Sequence, residues 1–277
     1  MAVSVLVIML CSAALSAGWN AVIKGADHKL YMTILMTGGA GLVGALALPF
    51  LPAPARAAWP FIAASAVCSI GYYVLVAQAY RVGDLSLVYP LMRGTAPLLV
   101  ALGSQMVLGE RLSLATWMGV GLICGGILCL AATALGQRGR GAGFALANAL
   151  IIAVYTSIDG LGVRLAGTPL TYALWIYLLT GLPLVGWALY RDRAGFVRYV
   201  AARRLLGGLG GGVAVITYVA TLWAMTVAPV AVVAALRESS ILFATMLSAW
   251  VLKERVDVRR LVMVCAIAGG TMVLRLG

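Results

Sequence analysis

The sequence predicts an all-α membrane protein, with ten transmembrane helices arranged as two inverted five-helix repeats around a central cavity. Three observations carry that reading. The 277 residues are 63% hydrophobic and 10% charged, with a mean hydropathy of +1.05. That is more apolar surface than a soluble core of this length can hide. Apolar runs of about 18 to 24 residues recur ten times, separated by short charged or Pro/Gly connections. The second half also repeats the first: an offset of 144 aligns Arg93 with Arg237, Glu110-Arg111 with Glu254-Arg255, and Gly125-Gly126 with Gly269-Gly270.

Taken in order, the spans are expected at about 3–22, 30–50, 58–80, 85–108, 113–133, 142–164, 170–190, 204–226, 230–252 and 257–275. Span one lacks a basic leader and ends in Trp19 and Asn20, which suits a retained helix better than a cleaved signal peptide. Pro52-Ala53-Pro54 separates spans two and three. Gly83-Asp84-Leu85-Ser86 leads into span four, where Pro90 and Pro97 remove ladder hydrogen bonds and suggest a kink; Pro183 does the same in span seven. The stretch from Gly136 to Gly141 divides the chain into repeats 1–136 and 137–277 within one membrane domain. An odd number of spans per repeat makes the second copy enter the membrane from the opposite side. A weaker match at offset 136 pairs Trp19 with Tyr155. Gly121-x-x-x-Gly125, Gly207-x-x-x-Gly211 and Gly208-x-x-x-Gly212 are expected to let helices approach closely.

The net charge of +12 comes from loops, not from an aromatic-interleaved basic surface, so nucleic acid is not expected as a partner. Of the 20 lysines and arginines, Arg93 and Arg237 lie within spans, and Arg56, Arg111, Arg164 and Arg275 lie on the termini's side. The remaining fourteen flank the odd-numbered connections, which places those connections in the cytoplasm and both termini outside. The five cysteines all fall within apolar runs without a Cys-x-x-Cys pair and read as small buried hydrophobes. No metal or other cofactor is expected. His28 is the single histidine and sits in a loop beside Lys29, which leaves a membrane enzyme without an evident acid/base or metal cluster. No Walker-type phosphate loop occurs, so a gradient, not ATP, is expected to drive any transport.

With these features the chain resembles the drug/metabolite transporter superfamily in its ten-span branch of two EamA-type repeats. The residues that carry the likeness are Ser16-Ala17-Gly18-Trp19-Asn20-Ala21, the stretch Gly83 to Pro90 before Arg93, Gly109-Glu110-Arg111, and Lys253-Glu254-Arg255. Among its members, the chain resembles the bacterial aromatic amino acid exporters. The resemblance implies a basket of helices around a central cavity, alternating access, and peripheral spans five and ten. Relatives are often drawn with cytoplasmic termini, against the charge count here.

The polar and aromatic positions inside spans are the candidate site. Ser12, Ser16, Asn20 and Lys24 recur at spacing four on span one and share one helix face. Trp19, Asn20, Tyr72, Tyr89, Arg93, Tyr155, Trp175 and Tyr218 are candidate substrate-binding residues, since they share helices with polar neighbours. Such positions serve equally well in ordinary interhelical packing. An inward-facing arginine can grip a substrate carboxylate or lock two helices through an ion pair, with Asp159 and Glu238 as the available acids. Arg237 leans to the ion pair, because Glu238 is its neighbour; for Arg93 both readings stand. Asp159 and Glu238 are also the candidate proton-coupling carboxylates, with uniport down the substrate gradient as the alternative where Arg93 and Arg237 consume both acids. Glu110-Arg111 and Glu254-Arg255 sit at span ends and are expected to fix loops or helix termini.

Together these readings predict a monomeric transporter of the bacterial inner membrane that exports small amphipathic metabolites, foremost aromatic or large neutral amino acids. The alternatives are a proton-coupled exporter of drugs, nucleobases or other metabolites, and a non-transporting receptor or an enzyme.

Overall fold

The computed structural model describes residues 2–83, 85–132, 141–251 and 257–276. The expected repeat boundary at 136/137 and the second Glu-Arg pair, at 254–255, lie outside the described residues. Among the described residues every regular element is helical: α1 (Val3–Lys24), α2 (Lys29–Ala47), α3 (Trp59–Val82), α4 (Leu85–Val107), α5 (Leu114–Ala132), α6 (Ala142–Ala166), α7 (Pro169–Val227), α8 (Val230–Arg237), α9 (Ser240–Val251) and α10 (Val258–Leu276). Short 3-10 turns at 48–50 and 56–58 bracket the Pro52-Ala53-Pro54 break.

The helix starts are chemically marked. The Thr168 hydroxyl caps α7 by accepting from the Thr171 backbone N–H, with Pro169 in the first turn, where its missing N–H costs nothing. His28 Nδ1 accepts from Tyr31 N–H at the start of α2.

Eight helical stretches among the described residues are long and apolar enough to cross a membrane by length and composition. The difference from ten has local causes. Expected spans seven and eight form the single 59-residue run α7, interrupted by non-helical backbone at Asp192 (φ −153°, ψ 77°) and Arg203 (φ −129°, ψ 23°). Expected span nine is divided into α8 and α9. At that division Ser239 and Leu242 bond back three residues, to Leu236 and Ser239, so the backbone tightens through a polar triplet, Glu238-Ser239-Ser240. Helix α10, which carries Arg259, Arg260 and Arg275, is not among the eight. Pro90 and Pro97 lie inside α4, which runs without interruption from Leu85 to Val107.

Small residues set the tightest contacts, but at a different register from the expected motifs. A Cβ on Gly39 of α2 would collide with the Gly207 carbonyl of α7, and one on Gly211 would meet Gly39 and Ala40. Gly119 of α5 opposes Gly270 of α10 in the same way. Gly121, Gly125, Gly208 and Gly212 face open space, so only the Gly207/Gly211 pair performs the close packing expected of it.

Packing is polarised along the bundle axis. The largest apolar cluster draws on the N-terminal part of α1 and α3, the C-terminal part of α4 and α6, the start of α7, and α8. It fills the end of the bundle that carries the chain termini. Toward the opposite end the apolar contacts divide into small clusters, such as Ala79, Val88, Met92 and Ala145. Large apolar side chains elsewhere point outward: Leu42, Val67 and Leu209 are 60%, 69% and 70% exposed, as a lipid-facing surface requires.

Candidate functional site

The division of the core leaves a cavity of about 190 Å3 inside the bundle. From α1 it receives Met9, Ser12, Ser16, Trp19 and Asn20; from α3, Ser69, Tyr72, Tyr73 and Tyr80; from α4, Tyr89, Met92 and Arg93. Helix α6 supplies Ile152 and Tyr155, α7 supplies Tyr177, Thr180, Thr217, Tyr218 and Thr221, and the division of span nine supplies Arg237 and Ser240. On α3 and α4 these residues lie mainly in the half next to the α3–α4 connection, and on α1 they reach to its C-terminal turns. The cavity therefore opens toward the end that carries those connections. Helices α5 and α10 contribute no residue to this lining and pack against each other.

Seven of the eight expected binding residues line the cavity: Trp19, Asn20, Tyr72, Tyr89, Arg93, Tyr155 and Tyr218. Trp175 is the exception, and its placement corrects that expectation. Successive helical residues point about 100° apart, so Tyr177 faces the cavity while Trp175 turns to Trp59, with ring centroids 4.8 Å apart and edge to face. Asn20 also differs in setting. It is exposed at the mouth, its amide donating to the Ser16 carbonyl of its own helix at 2.8 Å.

The two arginines exchange the roles that chain adjacency suggested. Glu238 forms its ion pair with Arg93, Oε2 to Nε at 2.9 Å, and not with its neighbour Arg237. Arg93 Nη2 also donates to Ser240 Oγ at 3.3 Å, so one guanidinium from α4 spans the division between α8 and α9. Arg237, on the cavity lining, faces the Tyr155 hydroxyl. The cavity thus holds one guanidinium that a carboxylate already neutralises and one that no ion pair engages among the described residues.

Asp159 does not reach either arginine as an ion-pair partner. It is 1% exposed on α6, where its Oδ1 accepts from the Tyr172 hydroxyl at 3.2 Å and its Oδ2 from the Tyr218 hydroxyl at 2.5 Å. Tyr172 is fully buried away from the cavity, whereas Tyr218 lines it.

Sequence reading passed over Thr37, Tyr73, Tyr177 and Thr180. The Thr37 and Tyr73 hydroxyls lie 3.1 Å apart and join α2 to α3. Tyr177 donates to the Ala214 carbonyl at 3.1 Å and stacks edge-on with Tyr218, with centroids 5.4 Å apart. A signal existed for these: Tyr177 with Thr180, and Thr217 with Thr221, repeat at helical spacing as the α1 serines do. Trp19 Nε1 and Thr180 Oγ1, both on lining residues, are buried without a hydrogen-bond partner.

At the closed end, the Glu110 carboxylate gathers two groups. It accepts from Arg164 Nη2 at 2.9 Å and from the Val230 N–H at the first turn of α8, 3.0 Å from Oε2. Arg164 Nε donates to the Met225 carbonyl at 3.0 Å. Gly109 takes φ 66°, a conformation that favours glycine and lets the chain turn Glu110 inward.

A family model described as EamA-like transporter family matches residues 3–132 and again residues 139–276. A solved structure described as "Crystal structure of protein" has the same fold, with a TM-score of 0.73 over 98% of this chain and 95% of that one at 21% identity. No curated protein matches.

Proposed function

Because this chain belongs to the EamA-like transporter family, we propose that it is a secondary transporter exporting small amphipathic metabolites, foremost aromatic or large neutral amino acids, by alternating access. The observation that carries the substrate class is Arg237: a guanidinium that no ion pair engages among the described residues, on the wall of a cavity lined by Tyr72, Tyr73, Tyr80, Tyr89, Tyr155, Tyr177 and Tyr218. A guanidinium receives a carboxylate through paired, charge-assisted hydrogen bonds. Tyrosine rings offer stacking faces for a planar or bulky side chain and hydroxyls for its polar groups. Trp19 Nε1 and Thr180 Oγ1 add a free donor and a free hydroxyl. Arg93 acts as the clamp that holds span nine, with Glu238 as its partner.

In this reading the chain crosses the membrane ten times. Run α7 contributes two crossings separated at Asp192 and Arg203, α8 with α9 contributes one, and α10 the last. The two halves act as the inverted repeats 1–136 and 137–277. The basic connections face the cytoplasm, so the cavity stands open to the cytoplasm and is closed on the far side, the state in which an exporter loads. The cavity lies wholly within one chain, which supports a monomer working in the bacterial inner membrane as the transporting unit.

The test is counterflow in liposomes containing the purified protein, with radiolabelled phenylalanine, its decarboxylated analogue phenethylamine, and adenine. The native protein exchanges phenylalanine well above the other two. Arg237→Gln lowers phenylalanine exchange about tenfold or more, the weight of a charge-assisted pair, and leaves phenethylamine nearly unchanged. Equal loss of both would remove Arg237 as the carboxylate receptor, and preference for adenine would replace the substrate class.

A further inference from the structure

We propose that Asp159 is a proton-binding site linked to the cavity through the Tyr218 hydroxyl, and that its loading and unloading couple transport to a proton gradient. The proposal rests on the transporter reading above and adds its driving ion.

Ionisable side chains inside a membrane bundle are costly, and those that persist mark ion or proton pathways. The two deep carboxylates meet that cost in different ways. Glu238 has a guanidinium at 2.9 Å. Asp159 has no cation in ion-pair distance among the described residues and is held by two neutral hydroxyls. A carboxylate neutralised by arginine remains ionised through a transport cycle, whereas one held by hydroxyls can take up a proton without leaving a buried cation unpaired.

Geometry supplies the path. Tyr172 seals Asp159 on the side of the apolar core, and Tyr218 stands between its Oδ2 and the cavity. On loading, Tyr218 accepts a proton from a hydronium ion in the cavity, leaving water, as it passes its own proton to Oδ2. The tyrosine stays neutral, and the carboxylate becomes a carboxylic acid. Unloading reverses both transfers.

The surroundings on each packed element are consistent with a titrating centre. Helix α3 presents the Ser65 hydroxyl and the Cys68 thiol, and α7 presents Tyr172, Tyr177 and Tyr218. Arg237 of α8 faces it from across the lining. On α4, Arg93 is turned to Glu238 and Tyr89 lines the cavity; Arg56 in the turn at 56–58 is exposed.

The experiment uses the full-length protein in liposomes with radiolabelled phenylalanine and compares counterflow at equal pH with accumulation driven by a pH gradient. The native protein shows both. Asp159→Asn retains counterflow, which shows that it is folded, and loses accumulation driven by the gradient. Tyr172→Phe removes one donor to the ionised carboxylate and so favours its protonated form. Its pH profile for gradient-driven transport shifts to more alkaline values by about one pH unit, a roughly tenfold change in proton affinity. Native protein with counterflow but no response to the gradient, or Asp159→Asn with undiminished gradient drive, overturns the proton site. Should Asp159→Asn fail to fold, an unshifted Tyr172→Phe profile overturns it as well. Absence of phenylalanine counterflow in the native protein fails the transport reading and takes the proton site with it.

Discussion

The two ends of the bundle are built on different principles. At the termini's end the largest apolar cluster runs through α1, α3, α4, α5, α6, α7 and α8 beside a smaller one of Ala40, Leu174 and Val215, and Glu110 ties the α4–α5 connection to Arg164 and to the start of α8. At the other end the apolar contacts are split into small clusters around a cavity rich in hydroxyls. There some polar contacts between distant segments lie at the surface, such as Tyr31 to Asp192 at 2.9 Å, while Thr37–Tyr73 and Arg93–Glu238 are at least partly buried around the cavity. A sealed end closes by burying apolar area and satisfying buried polar groups together. An open end keeps its polar groups available. Under the alternating access proposed above, each end takes the other's state in turn, and the contacts that differ between the ends are then those a transport cycle would break and remake.

The largest effect that tests this difference comes from aromatic truncation at each end. Tyr172 is fully buried at the sealed end, packed by Gly162 and bonded to Asp159. Tyr172→Ala is expected to cost about 3–5 kcal/mol, the range for emptying a buried aromatic site. Thermal unfolding of the detergent-purified protein reads it. Tyr80, 40% exposed at the cavity mouth, gives the contrast: Tyr80→Ala changes stability by about 0.5 kcal/mol. Equal losses at the two positions would break the distinction between a packed end and an open one.

A smaller effect belongs to Glu110. Arg164 is 37% exposed on its side chain, so the ion pair alone contributes little. The N–H of Val230 at the start of α8 is the more buried partner, and losing a charged acceptor there costs about 1 kcal/mol. Glu110→Gln should therefore lower the unfolding midpoint modestly. It should also raise the labelling rate of a cysteine introduced at Ala228, which is 8% exposed beside this contact. Unchanged labelling would show that apolar packing alone closes this end.

How much of this was legible from the chain depends on which physical signal each feature uses. The helical class and the stripe of Ser12, Ser16 and Asn20 along the cavity follow from periodicity and transfer energetics, which act locally. The partner of Glu238 does not. Arg237 is its chain neighbour, but neighbours on a helix diverge by about 100°, and the phase is set by how α4 docks against α8. Trp175 fails for the same reason, one helical step from Ile176 and two from Tyr177, both of which line the cavity. The division of span nine is marked in the sequence by Glu238-Ser239-Ser240, three polar residues in an apolar run. Asp159 was legible as a buried acid, while its tyrosine partners, 13 and 59 residues away, required the folded chain.

The smallest effect concerns the open end's own surface. Arg203 pairs with Asp27 at 2.5 Å and lies 4.5 Å over the Tyr199 ring, linking the α1–α2 connection to the non-helical residue within α7. By distance alone this is a tighter pair than Glu110 with Arg164, and by distance it should matter more. Exposure reverses the order: the Asp27 side chain is 81% exposed and that of Glu110 is 11% exposed. Water and salt screen the first pair, and ordering two mobile side chains offsets most of what attraction remains. Asp27→Asn should leave the unfolding midpoint unchanged within error in 0.15 M salt, and the cation over the Tyr199 ring should keep the connection docked. A midpoint drop as large as that from Glu110→Gln would mean that the open end is latched as firmly as the sealed one, and the two ends would then differ in shape but not in the way they are held.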